Sequence, residues 1–185
     1  MTDEKIIDLF WKRDENAIHE TSVKYGKLCF FISKNILART EDSEEVVNDA
    51  YLAVWNSIPE NRPTRFSVFL SRIVRNLALK KYEYNSADKR NPEAVCSLEE
   101  LCDCVSGKTS IESELENKRI EQTISQFLWS QSEEKRSIFI RRYWYFETIQ
   151  SISHRTGFSE SKIKSMLFHL RKDLRTFLEQ EGIEV

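Results

Sequence analysis

Glycine and proline are scarce in this chain, with 4 and 3 copies among 185 residues, and no stretch alternates apolar and polar residues as a half-buried strand does. A sheet-rich fold with its many glycine and proline turns is thereby excluded, and the expected fold class is all-α. Long apolar runs are also missing: none approaches the ~20 residues that a membrane-crossing helix needs. The first residues, MTDEKIIDLF, are acidic where a secretory signal opens on basic residues, so the expected location is the cytoplasm, without membrane insertion. Internal repeats and low-complexity tracts are absent.

Catalytic motifs are lacking as well. His19, His154 and His169 are scattered, and no G-x-S-x-G, H-E-x-x-H or phosphate-binding glycine loop occurs. The expectation is a protein that is not an enzyme, with no cofactor and no metal. Cys29, Cys96, Cys102 and Cys104 are expected to stay reduced in a chain without a secretory signal. The C-x5-C-x-C cluster lacks a C-x2-C pair and a nearby histidine, which favours free thiols over a zinc site. Its acidic surroundings oppose thiolate formation.

Charge is abundant, with 28 basic and 30 acidic side chains, and it is segregated. Residues 1–90 carry a net +1, residues 91–117 a net −6 and residues 118–185 a net +3. The basic charge is concentrated further, with eight basic against two acidic residues in 62–90 and ten against three in 135–175. Two basic patches separated by an acidic connector are the footprint of a protein that touches nucleic acid at two places. The reading is two small helical domains, 1–90 and 118–185, joined by a flexible acidic linker over 91–117 with a short helix at 98–102.

Within the first domain, helical spacing predicts scaffold helices over 5–20 and 24–37. A D-x-x-E capping pattern at Asp42 and Glu45 predicts a helix over 43–58, with Val46, Val47, Ala50, Tyr51 and Val54 buried. Its other side mixes Glu45, Asn48 and Asp49 with Leu52 and, at the edge, Trp55. Carboxylates around large apolar groups suit a docking surface, steered by charge and anchored by apolar contact. The competing reading is that Leu52 and Trp55 pack under the N-terminal helices. Pro59 and Pro63 then enforce a loop that delivers Arg62 and Arg65 to the next helix.

That helix, 66–81, has two characters. Phe66, Phe69, Leu70, Ile73 and Leu77 fall on one stripe at helical spacing, predicting the buried side. Arg65, Arg72, Arg75 and Asn76 gather opposite, with no carboxylate between Arg62 and Lys81. Such a flank suits phosphate; a merely solvated basic face is the alternative.

In the last domain, helices are predicted over 120–129 and 133–145. They are followed by a short helix capped by Thr148, a turn at Thr156-Gly157-Phe158 and a longer helix capped by Ser159. Short helix, glycine turn and longer helix make a helix-turn-helix. On the second of these helices Ile163, Leu167, Leu170, Leu174 and Phe177 predict the core stripe, opposite Ser161, Lys164, Ser165, Phe168, Arg171, Lys172 and Arg175. Short and basic residues at the N-terminal end suit entry into a major groove, and the later cations suit flanking phosphates.

These residues also carry a family likeness. TEDSEEVVNDAYLAVWNSI followed by RFSVFLSRIVRNLALKK resembles region two of the sigma-70 family, and RRYWYFETIQSISHRTGFSESKIKSMLFHLRKDLRTFL resembles region four. With no region three between them, the chain is similar to the small extracytoplasmic-function (ECF) sigma factors of bacteria. The resemblance implies a transcription initiation factor that binds core RNA polymerase, directs it to promoter DNA and assists melting. By position, Glu45, Asn48, Asp49, Leu52 and Trp55 would meet the coiled coil of the largest polymerase subunit, and region four would meet the flap. Arg62, Arg65, Phe66, Arg72, Arg75 and Asn76 would face the minus-ten element, where extruding a base needs a polar pocket and phosphate clamps. Lys80 and Lys81 would touch backbone there. Ser159, Ser161, Lys162, Lys164, Ser165, Phe168, Arg171 and Lys172 would enter or flank the minus-thirty-five groove. An anti-sigma factor is the further partner that the resemblance implies.

The sequence departs from the family pattern in places. Ile149-Gln150-Ser151 replaces an acid-rich start, Lys80 stands at a usually acidic position, and Asn48 stands where glutamine is more usual. A stand-alone dimeric helix-turn-helix regulator remains the alternative; it has no need of the 45–55 face or of a second basic helix.

Overall fold

The computed structural model describes residues 1–85, 91–105 and 114–183, and among these it contains nine helices and no strand. The chain divides into two compact units, Met1–Ala94 and Val95–Val185.

The first unit is built from α1 (Asp3–Trp11), α2 (Asn16–Ile36), α3 (Thr40–Ser57) and α4 (Phe66–Tyr84). Helices α2, α3 and α4 pack on one another in pairs, and α1 lies against α2 and α4. The break between α1 and α2 falls at residues 12–15 rather than after residue 20. Arg13 there takes a left-handed conformation, φ 58°, and its guanidinium donates to the Trp55 carbonyl at 2.6 Å. Asp14 Oδ1 accepts from the Asn16 amide at 3.0 Å, satisfying one of the donors that a helix start leaves open. Helix α3 starts earlier than the capping pattern implied. Its N-cap is Arg39, which makes no side-chain cap bond, and Ser43 is buried with its hydroxyl donating to the Arg39 carbonyl at 2.9 Å.

The core of this unit is aromatic at one end. Phe66 is fully buried, with its ring centroid 5.9 Å from that of Phe10 and 5.8 Å from that of Tyr25. The buried stripe of α4 is Phe66, Leu70, Ser71, Val74, Ala78 and Tyr82, turned away from the predicted Phe69, Ile73 and Leu77, which are only partly buried. Small residues explain the turn. Ser71 and Ala78 let α4 approach its neighbours closely, which a ranking by hydrophobic size overlooks.

The second unit contains α6 (Glu114–Ser130), α7 (Glu133–Tyr143), α8 (Ile149–Thr156) and α9 (Glu160–Gln180), with α9 packed on the other three. The turn chemistry is as the sequence implied. Thr148 Oγ1 accepts from the Ser151 amide at 3.0 Å, Ser159 Oγ accepts from the Lys162 amide at 3.3 Å, and Gly157 has φ 74°. Glycine adopts that left-handed backbone without a Cβ clash. The core stripe of α9 is Ile163, Leu167, Leu170, Leu174 and Leu178. Phe177 sits at its margin, with its ring centroid 5.7 Å from that of Phe127.

Between α4 and α6 the acidic stretch contains α5 (Pro92–Val105), longer than the short helix predicted at 98–102. Residues 106–113 of the predicted linker, and the side chains of Cys102 and Cys104, lie outside the described residues. Among the described residues no helix is long and apolar enough to cross a membrane.

Candidate nucleic-acid interface

Helix α3 presents Glu45, Asn48 and Asp49 to solvent, with Leu52 58% exposed beside them. An exposed leucine on the same helix face as two carboxylates combines apolar area with a directing charge. Trp55 behaves differently. Its ring meets Phe10 edge-on at 6.2 Å and lies 5.3 Å from the Arg13 guanidinium, so it packs under α1 and is only partly open. Of the two large residues on this face, Trp55 packs inward and Leu52 stays open.

On α4 the exposed positions include Arg65, Val68, Arg72, Asn76 and Lys80. The last four are spaced four apart, so they form one ridge along the helix. Arg75 lies beside this ridge and is partly buried, which pushes its guanidinium pKa down. Phe66, expected among the minus-ten contacts, is instead a core residue: its ring has no exposed surface. The α4 helix begins at that residue, and the apolar side of its first turn faces inward.

Two of the expected DNA-facing cations are held by carboxylates within the unit. Arg62 Nη2 donates to Asp8 Oδ1 at 2.5 Å, and its guanidinium is 5.8 Å from the Trp11 ring centroid. Lys81 pairs with Glu45 and lies 3.8 Å from Asp42. This second pairing joins the acidic face of α3 to the basic helix, across a shallow groove that Asp49, Leu77 and Lys80 also line.

In the second unit the open face of α9 carries Ser161, Lys162, Lys164, Ser165, Phe168 and Lys172. Phe168 is 57% exposed, and Lys162 Nζ sits 3.7 Å from the Phe158 ring centroid. Ser159 is exposed but commits its oxygen to capping α9. Arg171 is only partly exposed. It turns toward α5, donating to Glu100 at 3.2 Å and to the Tyr143 hydroxyl at 2.6 Å.

Sequence reasoning missed this Glu100 cluster. Arg142, 1% exposed, donates to Glu100 at 3.0 Å and to the Glu147 carbonyl at 3.2 Å, and the Tyr143 hydroxyl donates to Glu100 at 2.9 Å. Burial pushes the Glu100 carboxyl up, but the hydrogen bond and charge of Arg142, with the Tyr143 hydroxyl, outweigh it and hold it below the usual carboxylate range. Burial pushes the Tyr143 phenol up. Glu147, unlike the partly exposed Glu100, is a buried carboxylate, 2.8 Å from Arg141 and 3.6 Å from Arg155. A signal was available: Arg142 lies among Ile138, Phe139 and Tyr143 on the inward face of α7, and a buried guanidinium requires a carboxylate or carbonyl partner. No group of three or more metal-ligating side chains is found among the described residues.

Residues 23–87 match the family model described as sigma-70 region 2. The matched segment lies within the first unit. No curated protein matches the chain at a significant level. Among solved structures, one described as CnrH in complex with the cytosolic domain of CnrY is similar at 16% identity with a TM-score of 0.44, covering 96% of this chain and 97% of that one. Overlap at that level is too low to carry functional meaning.

Proposed function

We propose that the protein is a sigma factor of the ECF type: a non-catalytic subunit that binds core RNA polymerase, directs it to promoters and assists melting of the DNA. The observation that carries this reading is the match of residues 23–87 to sigma-70 region 2, whose helices pair an exposed acidic and apolar face on α3 with a cationic ridge on α4. In this reading the working divisions are residues 1–90 for core and minus-ten binding, 91–117 as connector and 118–185 for minus-thirty-five binding.

Glu45, Asn48, Asp49 and Leu52 meet the polymerase coiled coil, with Trp55 bracing them from below, and the second unit meets the flap. Arg62, Arg65, Arg72, Arg75, Asn76, Lys80 and Lys81 face the minus-ten element, where backbone contacts position the strand and the loop before α4 receives an extruded base. Lys162, Lys164 and Ser161 lead α9 into the upstream major groove, while Ser165, Phe168 and Lys172 lie along its flank. Polymerization chemistry belongs to core polymerase, so this chain needs neither cofactor nor metal. An anti-sigma factor is its regulatory partner, and the cytoplasm its location.

Co-purification with core polymerase tests the docking face. Asp49→Lys combined with Asn48→Ala is expected to weaken capture by core while leaving the helical content and melting of the protein unchanged. Undiminished capture would place docking elsewhere.

A further inference from the structure

Helix α5 plays no part in the contacts proposed above, yet it reaches the DNA-facing helix of its own unit. Glu100 gathers four donors: Arg142 and the Cys96 thiol on one carboxylate oxygen at 3.0 and 3.4 Å, and the Tyr143 hydroxyl and Arg171 on the other at 2.9 and 3.2 Å. Arg171 is also tied to the Tyr143 oxygen at 2.6 Å, and its side chain is only 22% exposed. The two arginines differ in what else they hold. Arg142 is buried and bonds the Glu147 carbonyl as well, whereas Arg171 belongs to the helix whose neighbouring open positions are Phe168 and Lys172. A carboxylate offers a guanidinium the same charge and acceptor oxygens as a phosphate.

We propose that α5 masks the cationic flank of α9: in the free protein Glu100 occupies Arg171 as a DNA phosphate would, and duplex DNA must displace it to gain that contact. The inference rests on the assignment of the open α9 face to duplex DNA. Displacement leaves Glu100 satisfied by Arg142 and Tyr143, so it forfeits one partly exposed ion pair and the Arg171 bond to the Tyr143 hydroxyl, and no buried charge is stranded. The mask is therefore reversible, and it lowers the affinity of the unassembled protein for DNA at large.

Counting phosphate contacts tests it. Binding of the full chain to a labelled duplex of arbitrary sequence is followed by fluorescence anisotropy over a range of salt concentrations. Glu100→Gln is expected to raise affinity several-fold at low salt and to steepen the slope of log affinity against log salt by about 0.9, the signature of one added phosphate contact. Glu99→Gln removes the same charge from an exposed position on the same helix and is expected to leave that slope unchanged. An unaltered slope for Glu100→Gln, or equal steepening by Glu99→Gln, overturns the mask.

Because Glu100 also braces Arg142, hydrogen exchange on the unaltered protein provides a second measurement. Saturating duplex is expected to speed exchange in α5, and unchanged or slowed exchange contradicts the proposal. Lys164→Ala separates the two layers. If it weakens duplex binding while Glu100→Gln has no effect, the mask alone fails; if it does not weaken binding, the assignment of the α9 face fails.

Discussion

Replacing Phe66 by alanine separates a core residue from a DNA contact at the position where the family resemblance and the structure disagree. The phenylalanine ring is fully buried against Phe10 and Tyr25, and Phe10 in turn contacts Trp55. Its removal forfeits the transfer energy of the ring and leaves a cavity between α1, α2 and α4, at a cost of about 3–5 kcal/mol. The two aromatic contacts contribute about 0.5–1.5 kcal/mol each beyond their buried area, which favours the upper part of that range. Against the total stability of about 5–15 kcal/mol typical of a domain, such a loss brings the first unit close to its unfolding threshold. Denaturant unfolding followed by tryptophan fluorescence reads the effect, since Trp11 and Trp55 both lie in this unit. The expected result is a large drop in the midpoint with little change in slope, and a much smaller drop for Phe66→Leu. If Phe66→Ala unfolds within about 1 kcal/mol of the unaltered protein yet fails in promoter binding, the residue is a contact and its placement in the core is wrong.

Lys164→Ala is expected to cost about 1–3 kcal/mol at particular upstream sequences if the side chain reads a base, and a smaller uniform loss if it touches phosphate; a panel of promoter variants distinguishes these. Ser159→Ala removes the α9 cap and is expected to destabilise the second unit by about 0.5–2 kcal/mol, read by thermal melting, with glycine at the same position costing only a few tenths of a kcal/mol. The Glu100 pKa is held below its ordinary value of 4.5, so the folded state resists protonating it. Its stabilising contribution is therefore complete above that ordinary value and is lost as pH falls through the lower folded one. Melting curves of the unaltered protein and of Glu100→Gln are accordingly expected to differ by a constant amount near neutrality and to converge below about pH 4.5. A gap that persists into strong acid would contradict the ion pairing.

Local chemistry was the most legible part of the sequence. Thr148, Gly157 and Ser159 act within a few residues of themselves, so the turn of the helix-turn-helix and both of its caps could be read directly. The break after α1 was hidden because Arg13, rather than a glycine, takes the left-handed backbone there. The α3 start was misplaced because an acidic capping pattern describes a preference, while Ser43, buried and bonded to the Arg39 carbonyl, extended the helix backwards. The phase of α4 slipped where Ser71 and Ala78 served as core residues without being large.

At the candidate site, the open residues of α3 and α9 could be placed by helical spacing alone. The pairings that modify them could not. Arg62 with Asp8, Lys81 with Glu45 and Arg171 with Glu100 join residues 54, 36 and 71 positions apart. No local period encodes such distances, because they arise only when the helices pack.

Run-off transcription with purified core polymerase on templates carrying randomised upstream sequence tests the central claim most directly. The account predicts transcripts that depend on adding this protein, arise from templates sharing two spaced upstream motifs, and decline when Asp49→Lys with Asn48→Ala replaces the unaltered chain. Absence of dependent transcripts, together with tight binding of duplex DNA by the protein alone as a dimer, would contradict it and assign the chain to stand-alone regulators.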